Sequence, residues 1–172
     1  YEKDIFKNIW IMPNPGDAGS SLGAAALINK KQLNWIDPYL GTDIPGEYPV
    51  AELINALELN KIVGVANGRA EFGPRALGNR SLLADPRGDE IKDQVNEIKR
   101  RQKFRPFAPV ILEEFLNEYF DMPKNLPASP YMQVVAPCKF PRKFPAIVHV
   151  DGTSRVQTVS KDCRSGIRQL LE

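Results

Sequence analysis

The sequence has little of what metal, disulfide or membrane chemistry requires: one histidine and two cysteines in 172 residues, and no long apolar run. Cys138 and Cys163 lie in dissimilar contexts without paired spacing, which argues against a disulfide framework or a zinc site and fits reduced thiols. The lone His149 has no Cys/His cluster around it at metal-ligand spacing, and nothing in the sequence supports a Ser/His/Asp triad built on it. No stretch approaches the ~18 apolar residues of a membrane span. The amino terminus Tyr1-Glu-Lys-Asp-Ile-Phe6 lacks the basic-then-apolar pattern of a signal peptide, so a cytoplasmic protein without a membrane partner is expected. Charge of one sign is scarce too: 23 Lys and Arg against 21 Asp and Glu leave a formal net charge of +2. That balance disfavours a surface gripping nucleic acid by bulk charge, and any anion binding must be local. The chain begins at Tyr1 without a methionine and ends at Glu172 inside an apparent helix, so it is expected to be a piece of something longer.

What is present is ordinary for a globular protein, with 42% hydrophobic and 26% charged residues. The length suits one domain, or one domain and part of another, since domains commonly hold ~100–200 residues. Ile9 to Met12 predicts a strand leading into the turn Asn14-Pro15-Gly16. A helix is expected from Asp17, as cap, to Lys30, with Ala18, Gly19, Gly23, Ala24, Ala25 and Ala26 letting it lie close against a neighbour. Asp37 to Pro49 carries three prolines and two glycines without hydrophobic period, and a domain boundary is placed there.

Beyond that boundary Val50, Leu53, Ile54 and Leu57 repeat at helical spacing, followed by a buried-looking strand at Lys61–Ala66. Ser81–Ala84 predicts a strand. A helix is expected from Asp89 to about Lys103, with Ile91, Val95 and Ile98 on one face and Lys99, Arg100, Arg101 and Lys103 in its last turn. Val110–Leu112 predicts a strand and Glu113–Phe120 a short helix. Strands are expected at Met132–Ala136 and Ala146–Val150, with Asp151-Gly152 turning the latter into Arg155–Val159 as a hairpin. The layout is mixed α and β.

The most unusual stretch runs from Gly68 to Ser81, where Arg69, Arg75 and Arg80 are separated by glycines and a proline. Glycine lets the backbone approach a ligand, and guanidinium offers a planar fork matched to phosphate or carboxylate oxygens. The segment is therefore either an anion cradle or a solvated loop whose arginines pair with Glu71 or Asp85. A Walker P-loop is excluded, because Gly68 and Gly73 are followed by Pro74-Arg75 and not by Lys-Ser/Thr. Lys99 flanks the apolar stripe of its helix, where it either reaches a cleft or snorkels from the helix end. Pro106 holds Arg105 extended. Arg155 and Gln157, two apart, share one face of a strand that meets water or a ligand.

Three long segments, Gly68-Arg-Ala-Glu-Phe-Gly-Pro-Arg-Ala-Leu-Gly-Asn-Arg-Ser-Leu-Leu-Ala-Asp-Pro-Arg87, Ile98-Lys-Arg-Arg-Gln-Lys-Phe-Arg-Pro-Phe-Ala-Pro109 and His149-Val-Asp-Gly-Thr-Ser-Arg-Val-Gln-Thr-Val159, resemble the carboxy-terminal region of the NodU-type and antibiotic O-carbamoyltransferases. Asp17-Ala-Gly-Ser-Ser-Leu-Gly-Ala-Ala25 resembles the end of that family's preceding domain. The resemblance implies an α+β, layered fold: a YrdC-like, mixed, twisted open sheet flanked by helices, incomplete at the carboxy terminus. It implies residues 1–44 as the tail of an actin-like ATPase-superfamily domain plus linker, and 45–172 as the truncated YrdC-like domain. Such a domain is expected to take carbamoyl phosphate and ATP with Mg2+ to a carbamoyl adenylate. The amino-terminal domain of the same protein then passes the carbamoyl group to a hydroxyl-bearing small molecule.

Carried over by motif, Arg75, Lys99, Arg105 and Arg155 bind carbamoyl phosphate and nucleotide phosphates, joined by Arg69, Arg80 and Gln157. Asp17 matches a metal-holding aspartate whose partner histidines belong to the preceding domain. The family continues past residue 172 with a segment that contributes to the pocket, so this chain by itself is expected to form adenylate weakly or not at all. The alternatives are a YrdC-like nucleotide- or RNA-binding module, and a threonylcarbamoyl-adenylate synthase. The Gly-Pro-Arg-Ala-Leu-Gly-Asn-Arg stretch favours the O-carbamoyltransferases over the synthase.

Overall fold

A computed structural model describes residues 5–7 and 9–172. The first four residues, on which the reading of the amino terminus partly rests, lie outside the described residues. The elements are α1 (Ser20–Asn29), β1 (Asp43–Ile44), α2 (Val50–Asn60), β2 (Ile62–Ala66), β3 (Gly68–Arg69), β4 (Arg80–Ala84), α3 (Ile91–Ile98), β5 (Val110–Leu112), α4 (Leu116–Tyr119), β6 (Val134–Pro137), β7 (Thr153–Val159) and α5 (Ile167–Leu171). The fold is α+β with open sheets. β2 pairs antiparallel with β4, β1 with β3, and β7 lies between β5, to which it is parallel, and β6, to which it is antiparallel.

Both faces of β7 are covered, and this decides what its alternating side chains do. Val156 packs with Leu116, Phe120, Ala136 and Ile147 on one side. On the other, Val159 joins Leu112 and Ile167 in a second cluster. A third cluster of Ile91, Val95 and Ala146 seats α3 beside the β2–β4 pair through Ile62 and Leu82.

Several expected elements are different in the structure. Ile9 to Met12 is not a strand; its backbone is held instead by the Gln133 side chain, whose Nε2 donates to the carbonyls of Ile11 (2.8 Å) and Met12. Asp17 does not cap α1. It opens a 3-10 turn, Asp17–Gly19, whose N-cap is Gly16 with no side-chain cap bond. Of the small residues expected to allow a close approach, Gly19, just before α1, does so, buried where a Cβ would collide with the Asn14 carbonyl; within α1 itself no residue is buried, and a Cβ on Gly23 would touch nothing within 4 Å. The 37–49 segment is not wholly irregular, since its Asp43–Ile44 pairs with Gly68–Arg69.

The strand expected at Ala146–Val150 is also absent. Pro145–Ile147 forms a 3-10 turn, and Asp151-Gly152 then turns the chain into β7 without a hairpin partner before it. The reason is that β5 and β6 occupy both edges of β7, while the 149–153 turn is closed locally, by His149 N–H donating to Thr153 O (2.8 Å) and by Asp151 Oδ1 accepting from the Thr153 amide (3.0 Å) and hydroxyl (2.7 Å). His149 is exposed in this turn.

At the end of β4, Asp85 accepts two bonds of 2.8 Å from the Arg87 guanidinium and lies 3.5 Å from Lys61 Nζ. The Arg87 hydrogen bond holds its carboxyl at about 2, below the ordinary 3.8. A depressed folded pKa stabilises the native state fully above the unfolded value, and that contribution is lost as pH falls from near 4 through about 2. Arg87→Ala is therefore expected to flatten the acid limb of the melting temperature against pH over that window. Superimposable wild-type and variant limbs would rule the linkage out.

Candidate functional site

A cavity of about 660 Å3 opens between β4, α3, the 106–110 segment and β7. Its cationic end is made by Arg75 from the glycine loop, Lys99 and Arg101 from the end of α3, and Arg155 from β7. Arg105 stands beside this end: Arg75, Arg101 and Arg105 all act electrostatically on Arg155. Burial first, and then these three like charges, push the Arg155 guanidinium below its ordinary pKa. Its Nε is buried and has no hydrogen-bond partner. Two acids line the cavity, Glu58 and Asp85, and Asp85 is already paired with Arg87 and Lys61. Among the described residues no ion pair neutralises Arg75, Lys99, Arg101, Arg105 or Arg155.

The glycine loop is shaped from within. Glu71 Oε1 accepts from the N–H groups of Leu77 (2.8 Å), Asn79 (2.9 Å) and Arg80 (3.2 Å), so these three amides are not free for an external anion, and the loop reaches the cavity through the Arg75 side chain. Glu71 does not pair with an arginine. It is an internal anion that shapes the loop, and charged acceptors make the stronger hydrogen bonds. Glu71→Gln keeps an acceptor oxygen but removes the charge, and is expected to lower stability by about 1 kcal/mol. An unchanged urea midpoint would contradict this.

The carbonyls of the same loop are pinned from three sides. Tyr39 Oη (3.1 Å) and Gln157 Nε2 (3.1 Å) donate to Leu77 O, and Tyr48 Oη donates to Gly78 O at 2.9 Å. Burial, with help from Glu71 and Cys163, pushes the Tyr48 phenol up to about 12, so it stays a donor at neutral pH. Gln157, singled out as a ligand, lines the cavity but its amide N–H holds the loop on β7.

Arg69 and Arg80 are placed differently from the others. Arg69 donates to the carbonyls of Gly41 (3.2 Å) and Leu40 (2.9 Å) and borders a separate hollow of about 400 Å3. Arg80 donates to Asn67 O (2.8 Å), Asn79 O, Thr42 O and Gly68 O (3.0 Å each), clamping β1 and β3 to the loop. Asp17 is exposed, and the described residues contain no group of three or more His, Cys, Asp or Glu that could hold a metal.

Sequence reasoning missed Arg101. It expected α3 to continue to about Lys103, with Arg101 in its last turn as a charge matching the helix dipole. α3 ends at Ile98 because Arg100 takes a left-handed conformation (φ +48°), with its N–H donating to Glu97 O (2.9 Å) and the Arg101 N–H to Asn96 O (3.0 Å). This is a Schellman stop, usually signalled by glycine, and here an arginine conceals it. Ile98, the last residue of α3, is 58% exposed, so it does not join Ile91 and Val95 in the core although it lies on their stripe of the helix.

The model of the family described as Carbamoyltransferase C-terminus matches residues 54–172. Nodulation protein NolNO of Sinorhizobium fredii is 37% identical over 97% of this chain and 29% of its own length. Nodulation protein NolO of Bradyrhizobium diazoefficiens is 37% identical over 91% of this chain and 34% of its own. Nodulation protein U of S. fredii is 37% identical over 99% and 33%. The chain spans about a third of the length of these relatives.

Proposed function

The chain belongs to the carbamoyltransferase C-terminus family, and from that premise we propose that it is the part of an O-carbamoyltransferase that binds carbamoyl phosphate and ATP and joins them as a carbamoyl adenylate. The observation that carries this reading is the cavity's un-neutralised cationic end, with a buried Arg155 Nε left without an acceptor. A half-buried, unpaired cation among like charges is costly without a ligand, and an oxyanion lowers that cost. Both reactants are polyanions whose mutual repulsion fixed guanidinium groups offset, and whose reacting ends they align.

The reaction balances as carbamoyl phosphate, ATP and water giving carbamoyl adenylate, pyrophosphate and inorganic phosphate. Water first cleaves the carbamoyl–phosphate linkage to give carbamate and inorganic phosphate, and a carbamate oxygen then bonds to the α-phosphorus of ATP while the α–β phosphoanhydride breaks and pyrophosphate leaves. Arg75, Lys99, Arg105 and Arg155 bind and orient the phosphate oxygens; Gln157 and Glu71 hold the loop that carries Arg75; Arg69 and Arg80 brace it from behind. Mg2+ suits the site as a companion of the ATP phosphates, since such ions commonly keep several waters and take one or two carboxylates. Glu58 is the cavity carboxylate that no described cation neutralises, since Asp85 is already held by Arg87 and Lys61. A metal at Asp17 would need ligands from a preceding domain. We assign residues 1–44 to the end of that amino-terminal, actin-like domain and its linker, and residues 45–172 to a YrdC-like domain. Transfer to a hydroxyl-bearing acceptor belongs to the amino-terminal domain.

Among the described residues no helix is long and apolar enough to cross a membrane. Calorimetric titration of carbamoyl phosphate into this chain and its Arg105→Ala variant tests the reading. Binding by the wild type is expected, with affinity reduced about tenfold in the variant. Identical heats for both proteins would refute it.

A further inference from the structure

We propose that residues 35–42, together with Asn14, form a strap that positions Arg75 from behind, so that the cavity binds its anion at full strength only while the strap is seated. This rests on the reading of the cavity as an anion site and adds a control that lies outside it. Among the described residues none before Ile54 lines the cavity.

The strap holds the chain on both sides of Arg75. Three residues before it, the Phe72 N–H donates to Pro38 O at 2.6 Å, and the Phe72 ring lies 6.4 Å from that of Trp35. Two residues before it, Gly73 has φ +122°, and a Cβ there would lie 3.2 Å from Asn14 Cβ. Two residues after it, Leu77 O accepts from Tyr39 Oη at 3.1 Å. The other holds on this loop, from Glu71, Gln157 and Tyr48, act on residues 77 to 80 alone. Among the described residues the Arg75 side chain makes no hydrogen bond or ion pair, so its backbone decides where its guanidinium stands. Small displacements of a positioning group cost a binding or reacting site heavily.

The strap is well placed but lightly fastened. The Gly41 N–H donates to Ala70 O (2.9 Å), the Ala70 N–H donates to Thr42 O (3.0 Å), and Arg164 lies 3.4 Å from Asp37. Burial, and then Cys163 at 3.9 Å, push the Tyr39 phenol above its ordinary pKa, so it stays a donor. Asn14 is 2% exposed, and the Gln133 amide holds the carbonyls of Ile11 and Met12 just before it. Yet none of the three buried apolar clusters takes in a residue before Tyr48. Segments held by hydrogen bonds with few buried apolar contacts open at well below the cost of global unfolding. Lifting the strap frees residues 72 to 76, and with them Arg75. By linkage, a bound anion that needs Arg75 in place tightens the strap by the factor that lifting costs the anion. Residues 1–44 are assigned above to the end of the preceding domain and its linker, so movement there reaches the cavity through this contact.

The test titrates carbamoyl phosphate into the 172-residue chain, into Tyr39→Phe, Gly41→Val and Arg75→Gln, and into each strap variant combined with Arg75→Gln. Amide hydrogen exchange of the wild type is followed with and without ligand. Tyr39→Phe removes one bond and is expected to weaken binding by about threefold to tenfold. A Cβ on Gly41 would lie 2.8 Å from Ala70 Cβ, so Gly41→Val prises the strap away and is expected to cost about tenfold or more. In the Arg75→Gln background each strap variant should add less than about twofold, because the residue through which it acts is gone. Saturating carbamoyl phosphate should slow exchange of the Gly41, Ala70 and Phe72 amides by about the factor that Gly41→Val loses.

A strap that only stabilises the fold would cost the same in both backgrounds, and that result would overturn the proposal. So would exchange at those three amides that ligand leaves unchanged, or an Arg75→Gln chain that binds like the wild type. If Arg75→Gln weakens binding and both strap variants match the wild type, the strap's role falls while the site stands. A wild type that binds no carbamoyl phosphate removes the site and the strap's role with it. Should Gly41→Val fail to fold, or Arg75→Gln bind too weakly to measure, Tyr39→Phe and the exchange rates decide.

Discussion

Arg155→Met is expected to weaken carbamoyl phosphate binding by about a hundredfold or more, and at the same time to raise the stability of the ligand-free protein by about 1 kcal/mol. The two effects have one cause. In the free protein Arg155 is partly buried on β7 among Arg75, Arg101 and Arg105, with its Nε unpartnered. Methionine of similar length removes the desolvation and the repulsion and packs against the apolar side of the same cavity. Replacing buried charges with apolar residues commonly gains ~1–4 kcal/mol, and the lower end applies here because Arg155 is only half-buried. For a chain of this size that corresponds to roughly 2–4 °C in melting temperature. A site that gains stability on losing its ligand contact is one in which folding energy has been traded for binding. Calorimetry and thermal melts on the same sample check both halves. A variant that melts lower and still binds normally would show that Arg155 is structural.

Gly78→Ala is expected to destabilise the fold by about 4 kcal/mol, with a melting temperature roughly 8–16 °C lower or no soluble protein. Two independent strains add. Gly78 has φ +123°, a conformation that side chains rarely adopt, and a Cβ there would lie 2.6 Å from Ser165 Oγ and 2.8 Å from Ile167 Cβ. Neither neighbour can withdraw easily. Ser165 Oγ accepts from the Ile167 N–H (3.2 Å), and Ile167, 1% exposed, is packed with Leu112 and Val159. Adding Ser165→Gly should rescue the variant only in part, because Ile167 and the backbone strain remain. A single Gly78→Ala variant that melts within a degree of the wild type would mean that the loop and the carboxy-terminal segment are not pressed together.

The signals that were legible from the residues were local ones. Val50 to Leu57 announced α2, the apolar runs at 62–66 and 110–112 announced β2 and β5, and 81–84 lies within β4. Where long-range contacts settled the conformation, local reading went astray. Ile9 to Met12 has the composition of a strand but finds the Gln133 amide and no strand partner. Ala146–Val150 looked like half of a hairpin, yet β7 takes its neighbours from residues 110–112 and 134–137. Asp43–Ile44 carries no strand signal, and its pairing is fixed by distant groups: Arg80 bonds Thr42 O and Gly68 O, Arg69 bonds Leu40 O and Gly41 O, and Ala70 exchanges backbone bonds with Gly41 and Thr42.

Residue chemistry and motif order alone determined that this chain is a mixed α and β protein of the carbamoyltransferase family and that its arginines matter. They could not sort those arginines. Arg69, Arg75 and Arg80 share one loop and one chemistry, yet two are bound to backbone carbonyls and one lines the cavity with Lys99, Arg101 and Arg155. Only the tertiary structure decided that, for a simple reason. A guanidinium's role is set by whichever acceptor lies within hydrogen-bond reach, and in this chain those acceptors come from residues up to 38 positions away.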